Sequence, residues 1–156
     1  MRLLLYDRVV AVTKGKSILG IKSFALSEEF HRGHFAKVAL VPGVMFIEAM
    51  AQLLGWLIIY THDFALCPIM SVVEGVAFTP RLRPGFQAQI HGEIVSTSAK
   101  DSLGRAWMRV EGDVIASMDR IIYSHFRGPD PADLKEWFRY YSGLQDPAPD
   151  GAGPAL

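Results

Sequence analysis

Two side chains able to move a proton stand fourteen positions apart in the stretch His31–Tyr60: His34, in a short loop, and Glu48, in an apolar run. From Val44 to Tyr60 the strongly polar side chains are Glu48 and Gln52. Four positions apart on a helix, these two share a face. A lone carboxylate among apolar neighbours costs free energy to bury unless it is paired, protonated or set in a cleft. The alternative is a solvated Glu at a partly exposed helix end. The Pro42-Gly43 break starts the helix, and a helix start offers unpaired N–H groups and the positive end of the dipole. Gly43 lets a ligand come close to the backbone, so this turn suits a thioester carbonyl that gains negative charge. A histidine nearby could remove a proton next to that carbonyl. A protonated carboxylic acid could give one to a leaving hydroxyl. Base, carbonyl polariser and acid are the parts needed for β-elimination of water.

Several elements must position these groups. Residues 3–12 and 17–26 read as strands joined by a turn at Lys14-Gly15-Lys16, a hairpin. Residues 27–42 are irregular, with Gly33 and Pro42 as breakers. The run 44–60 reads as a helix buried on all sides, about 25 Å long at 1.5 Å per residue. Residues 68–79 read as a strand with a bulge near Gly75, and Pro80–Gly85 (PRLRPG) as a basic turn. In 86–97, Phe86, Ala88, Ile90 and Ile94 alternate with Gln87, Gln89, His91 and Glu93. Residues 100–104 read as a hairpin loop. Residues 106–116 read as one more strand, with Met108, Val110 and Val114 opposite Arg109, Glu111 and Asp113. Residues 117–126 extend it or add another. Five or six mostly antiparallel strands with one long, early helix make an α+β arrangement.

A last helix starts at Asp130-Pro131 and stops at Gly143. Its apolar stripe of Leu134, Trp137, Phe138 and Tyr141 is expected to pack on its own sheet or on a partner subunit, rather than on a membrane or ligand. Residues 145–156 read as a disordered tail. The division expected is therefore a domain over 1–128, a helix over 129–144 and a tail over 145–156.

Half of the 156 residues are hydrophobic and about a fifth are charged, with sixteen basic and sixteen acidic side chains. That balance gives no global charge argument for nucleic acid or an anionic membrane. The single cysteine, Cys67, excludes an intrachain disulfide and fits a reducing compartment; a buried structural thiol is expected there. Asp7 and Arg8 interrupt the opening apolar run too early for a secretory signal, and Glu48 and Gln52 argue against a membrane span at 44–60. A cytoplasmic protein is expected. No P-loop, GxGxxG or CxxC motif occurs. His31 reads as a solvated loop residue or an entrance residue. His62, His91 and His125 lack metal-ligand spacing, and no metal site is expected.

Gly33-His34-Phe35, Pro42-Gly43-Val44-Met45 and Glu48-Ala49-Met50-Ala51-Gln52, in that order and at that spacing, resemble the 3-hydroxyacyl-acyl-carrier-protein dehydratases of fatty acid synthesis. LLLYDRV near the start and VEGVAFTPRLRPG after the helix are similar to the same family, so the likeness runs over roughly 3–116. It implies the hot-dog fold, an antiparallel sheet wrapped around a long helix. It implies conversion of (3R)-hydroxyacyl thioesters to trans-2-enoyl thioesters without a cofactor. His34 would be the catalytic histidine, Glu48 the acid or base, and the Gly43 N–H the carbonyl polariser. Phe35, Pro42, Val44 and Gln52 would contact substrate, Gln52 also orienting Glu48. The family pairs two subunits, each site taking its histidine and its acid from different chains, so a homodimer or larger assembly is expected. The carrier would be acyl carrier protein or coenzyme A, with Arg81, Arg83 and Lys37 as candidates to meet an acidic carrier. Ala36 and Ala39 replace prolines usual in the family, which leaves the histidine loop less fixed and suggests a specialised, polyketide- or polyene-like acyl chain.

Two other functions share this fold class. One is a thioesterase or enoyl isomerase. The other is a non-catalytic acyl-binding partner of a second hot-dog subunit. Fold alone does not choose among them; the EAMAQ motif favours dehydration.

Overall fold

The computed structural model describes residues 4–31 and 37–144. Six strands form one antiparallel sheet: β1 (Arg8–Thr13), β2 (Ser17–Phe24), β3 (Leu66–Phe78), β4 (Phe86–Thr97), β5 (Asp101–Val110) and β6 (Asp113–Arg127). Their spatial order is β1-β2-β4-β5-β6-β3. Helix α1 (Gly43–Thr61) lies against the sheet, and α2 (Pro131–Ser142) follows the last strand. This is the expected α+β, hot-dog arrangement.

Helix α1 is the core. Phe46, Ala49, Met50, Leu53, Leu54, Leu57 and Ile58 are all but inaccessible. The close approach depends on strand positions without side chains. A Cβ on Gly20 of β2 would stand 2.9 Å from a Leu53 methyl, and one on Gly104 of β5 would stand 2.7 Å from a Leu54 methyl. By length and hydropathy α1 could cross a membrane, yet 56% of its apolar window is buried inside the fold.

Four local readings change. The first strand begins at Arg8 rather than at residue 3, because the Leu5 N–H bonds to the Gln52 side chain (2.9 Å). The chain there crosses the helix instead of extending the sheet. The stretch 106–116 is a hairpin, not one strand: β5 ends at Val110 and β6 starts at Asp113. Glu111 and Gly112 between them both have positive φ (51° and 95°), the backbone of a two-residue turn matched to strand twist. A register shift at Met108/Arg109 then reverses the expected phase, so Val114 is exposed while Ile115 and Ala116 are buried. In β3 the register shifts between Met70 and Val72, not near Gly75. Gly75 instead has φ +62°, with the Asp119 carboxyl where a Cβ would go. Cys67, expected to be buried, is half-buried.

Helix α2 has the expected ends: the Asp130 side chain accepts from the Ala132 N–H (2.8 Å), Pro131 follows, and Gly143 (φ 67°) closes it. Its buried Leu134 and Phe138 join Ile59 of α1 and Phe64 in a second apolar cluster. The stripe thus packs on the C-terminal half of the central helix, and α2 also meets the sheet at β1, as expected. The tail expected at 145–156 lies outside the described residues.

Candidate active site

Glu48 sits in the second turn of α1, on the flank that the sheet leaves half-open. Gln52, one turn on, donates from Nε2 to Glu48 Oε1 at 2.8 Å. Its own Oε1 accepts the Leu5 N–H, so a backbone donor from the N-terminal segment fixes the amide's orientation. One carboxyl oxygen of Glu48 therefore has a defined acceptor role. Below this pair, the Tyr123 hydroxyl of β6 donates to the Ala51 carbonyl at 2.8 Å. Burial pushes the Tyr123 phenol far above its ordinary range, and the charge of Glu48 adds to the shift.

These groups border a groove of about 720 Å³. Helix α1 contributes Glu48, Gln52 and Trp56, and Met70 of β3 and Tyr123 of β6 form the adjoining wall. Trp137 and Tyr141 of α2 also border it. The groove is polar at the Glu48–Gln52 end and apolar and aromatic beyond it, an arrangement that accepts an acyl chain with its reacting carbons near the carboxyl.

The start of α1 carries no side-chain cap. Pro42 is buried and extended (φ −62°, ψ 134°), and Val44 is 62% exposed. Where a Cβ on Gly43 would project, the Phe78 ring already lies, at 2.5 Å. The close approach that this glycine permits is made by Phe78, at the end of β3. The Val41 N–H donates to the Leu82 carbonyl at 2.9 Å, holding the basic turn beside the residues that lead into the helix. Arg81, Arg83 and Lys37 are all exposed. His34 and Phe35 lie outside the described residues. The described residues on either side of them are tied together, because His31 Nδ1 is 3.3 Å from the Leu40 carbonyl. His31 is buried, not the solvated or entrance residue expected.

The structure therefore brings Glu48 and Gln52 together, sets Gly43 and the basic turn at one end of α1, and adds residues that the sequence reading did not place there. Trp56 and Tyr123 carry no motif, and Trp137 and Tyr141 were read as a packing stripe. A second polar group forms at the other end of α1. His62 Nε2 meets Thr97 Oγ1 (2.7 Å), Thr97 meets Ser102 Oγ (2.6 Å), and Ser102 meets His125 Nε2 (2.9 Å). The two imidazole centroids are 5.2 Å apart. Among the described residues, no three of His, Cys, Asp and Glu are grouped so as to hold a metal ion.

Known proteins agree with this geometry. The FabA-like domain matches residues 1–121. The 3-hydroxyacyl-[acyl-carrier-protein] dehydratase FabZ of Caldicellulosiruptor saccharolyticus is 34% identical over 113 residues, covering 72% of this chain and 81% of that protein. The corresponding enzyme of Listeria welshimeri is 30% identical over 117 residues, covering 74% and 81%. Among solved structures, the dehydratase heterocomplex ApeI:P of Xenorhabdus doucetiae superposes with a TM-score of 0.65 at 15% identity, over 86% of this chain and 88% of that one. The putative thioesterase yhdA of Lactococcus lactis reaches 0.66 at 8% identity, over 82% and 100%. At such identities the structural matches speak for the hot-dog fold alone, whereas the domain match and the sequence relatives give the family. By the fold, the match over 1–121 and these relatives, the chain belongs to the FabA-like family.

Proposed function

We propose that this protein dehydrates 3-hydroxyacyl thioesters, carried on acyl carrier protein, to trans-2-enoyl thioesters. The observation that carries this reading is the Leu5–Gln52–Glu48 hydrogen-bond series at the polar head of an apolar groove. His34 removes the proton at C2, and the electron pair forms the C2–C3 double bond. The C3–O bond breaks as Glu48 gives its proton to the departing hydroxyl, which leaves as water. Gln52 holds one carboxyl oxygen of Glu48, so the proton to be transferred belongs on the other. The Gly43 N–H, at the positive end of the helix dipole, stabilises the charge that builds on the thioester oxygen. Phe35, Pro42 and Val44 border the reacting carbons.

A second copy of the chain completes the site, its histidine facing the first copy's acid. β3 ends the sheet, and its exposed Ile69, Val72 and Phe78 support pairing along that edge. Arg81, Arg83 and Lys37 meet the acidic carrier at the entrance, and the reaction takes place in the cytoplasm.

The test is direct. Purified protein given a 3-hydroxyacyl carrier thioester should yield a product lighter by one water, and His34→Ala and Glu48→Ala should each abolish it. Full activity in both variants overturns the assignment. Release of free thiol instead of water would favour hydrolysis.

A further inference from the structure

The FabA-like match ends at residue 121, and Tyr123 stands just beyond it on β6. We infer that Tyr123 is a positioning residue for the reaction: its hydroxyl holds the Ala51 carbonyl and so fixes the helical turn that carries Glu48 and Gln52. The inference rests on the dehydratase reading for the reaction, but not for the holding of the turn.

Ala51 lies between the acid and its amide partner on one turn of α1. Within the helix its carbonyl is the acceptor for the Gly55 N–H. A carbonyl oxygen has a second lone pair, and the Tyr123 hydroxyl takes it, at 2.8 Å. Tyr123 itself rides on the interior of the sheet, where β6 runs between β5 and β3. Its backbone partners there are Ser102 and Met70. A strand paired on both sides has little freedom to slide, so the phenol reaches the helix from a fixed base. Leu5 holds the same turn from the N-terminal segment, through Gln52 Oε1 at 2.9 Å. Two ties from separate parts of the chain thus meet within residues 48–52.

What these ties resist is rotation of the helix. An α-helix with its side chains is about 10–12 Å across, so a carboxyl on its surface lies roughly 5–6 Å from the axis. A roll of about 10° moves that carboxyl by about 1 Å, and a shift of about 1 Å at a reacting group can cost about a hundredfold in rate. The neighbours Ala49, Met50 and Leu53 are fully buried, but apolar burial is non-directional and does not by itself fix the roll. A hydrogen bond is directional. The phenol also keeps its proton across the working pH range, because burial, with the charge of Glu48 adding to it, pushes its pKa far above the ordinary value.

Tyr123→Phe removes the hydroxyl and keeps the ring. Turnover of a 3-hydroxyacyl carrier thioester is compared for the full chain, Tyr123→Phe, Glu48→Gln and the double variant, well below every melting midpoint. Tyr123→Phe should lower kcat by about tenfold or more with KM within about twofold, the pattern of an interaction that matters in the transition state rather than in substrate binding. In the Glu48→Gln background the same change should leave the residual rate within about twofold, because the carboxyl that the turn places is gone. A loss of equal size in both backgrounds would make Tyr123 a general structural residue and overturn the inference. The proton–nitrogen resonances of the Gln52 side-chain amide report its bond to Glu48 without any turnover, and Tyr123→Phe should displace them. Replacing Tyr123 with 3-fluorotyrosine, which keeps ring and hydroxyl and changes the donor strength, is the second perturbation and should move them too. Displaced resonances in a chain that dehydrates no substrate would refute the dehydratase reading and uphold the holding of the turn. Resonances that ignore both changes, with kcat unaltered, overturn the inference.

Discussion

Gln52 bridges Glu48 to the backbone of Leu5: its Nε2 donates to the carboxyl at 2.8 Å and its Oε1 accepts the Leu5 N–H at 2.9 Å. The amide cannot turn over without breaking both bonds, so the chain segment that crosses the helix decides where the carboxyl points. Gln52→Leu should lower kcat by about tenfold to a hundredfold, since a misplacement of about 1 Å can cost that much. It should also reduce stability by about 1–3 kcal/mol, because the buried Leu5 N–H loses its acceptor. Gln52→Glu restores an acceptor for Leu5 but sets a second carboxyl against Glu48. It should retain more stability than Gln52→Leu while shifting the pH–rate profile. Steady-state kinetics over pH and urea unfolding measure both effects.

Glu48→Gln separates chemistry from structure. The amide is nearly isosteric and can still accept from Gln52, but it has no acidic proton to transfer. Turnover should fall by about 10²–10⁴, with the melting temperature within about 2 °C of the parent, as expected for a change of a few tenths of a kcal/mol. A large loss of stability would mean that the carboxyl serves the fold instead.

Gly43 and Phe78 are coupled, because a Cβ on Gly43 would lie 2.5 Å from the Phe78 ring. That ring is 47% exposed and has space to swing outward. Gly43→Ala should therefore cost only about 1–2 kcal/mol. In a Phe78→Ala background the same change should cost almost nothing, since alanine is the better helix former. A double-mutant cycle by chemical denaturation gives the coupling energy; a value near zero would show that the two side chains do not compete for this space.

The sequence was most legible where one property changed abruptly. Glu48 and Gln52 stood out because apolar residues surround them, and α2 because Asp130, Pro131 and Gly143 punctuate it. It was least legible where two regular patterns ran into each other. Alternation in β5 continues through Glu111-Gly112 into β6, and the register shift that moves Val114 outward depends on cross-strand pairing. The rest of the groove's lining was hidden for a related reason. Tyr123, Trp137 and Tyr141 reach Glu48's flank only once β6 and α2 have folded onto α1, and no local spacing encodes that meeting. His62 and His125, sixty-three positions apart, meet ring to ring beside the hydroxyls of Thr97 and Ser102 only in the folded chain.

That histidine pair predicts how stability depends on pH. Burial lowers the pKa of both imidazoles, and the proximity of His62 lowers that of His125 further. Asp63 raises and Lys14 lowers the value for His62, while Asp101 and the backbone of Ala99 and Ser98 raise that of His125. The lowering prevails in each case. The unfolded chain therefore binds protons more readily, with an ordinary histidine value of about 6.5. The stability these groups contribute is fully present above that pH and is lost as pH falls through it toward their lowered folded values. Thermal melts from pH 7.5 to 5.5 should show a falling midpoint. His125→Asn, which removes the titration and the repulsion with His62, should flatten the curve; a slope identical to the parent's would refute the assignment.

Phe138 tests how firmly α2 is held. The side chain is 5% exposed and packs against Trp56, Tyr60 and Phe64. Phe138→Ala removes that contact and leaves a cavity, a change that costs about 3–5 kcal/mol in a rigid core. Here much of the loss should fall on α2 alone, because the core of α1 against the sheet does not include this ring. The expected result is release of the helix before the sheet unfolds. Amide exchange over 131–142 should accelerate at least tenfold while β4 and β5 keep their protection, and limited proteolysis should cut first beyond Arg127. A uniform rise in exchange across β4, β5 and α2 would instead make α2 part of one cooperative unit with the sheet.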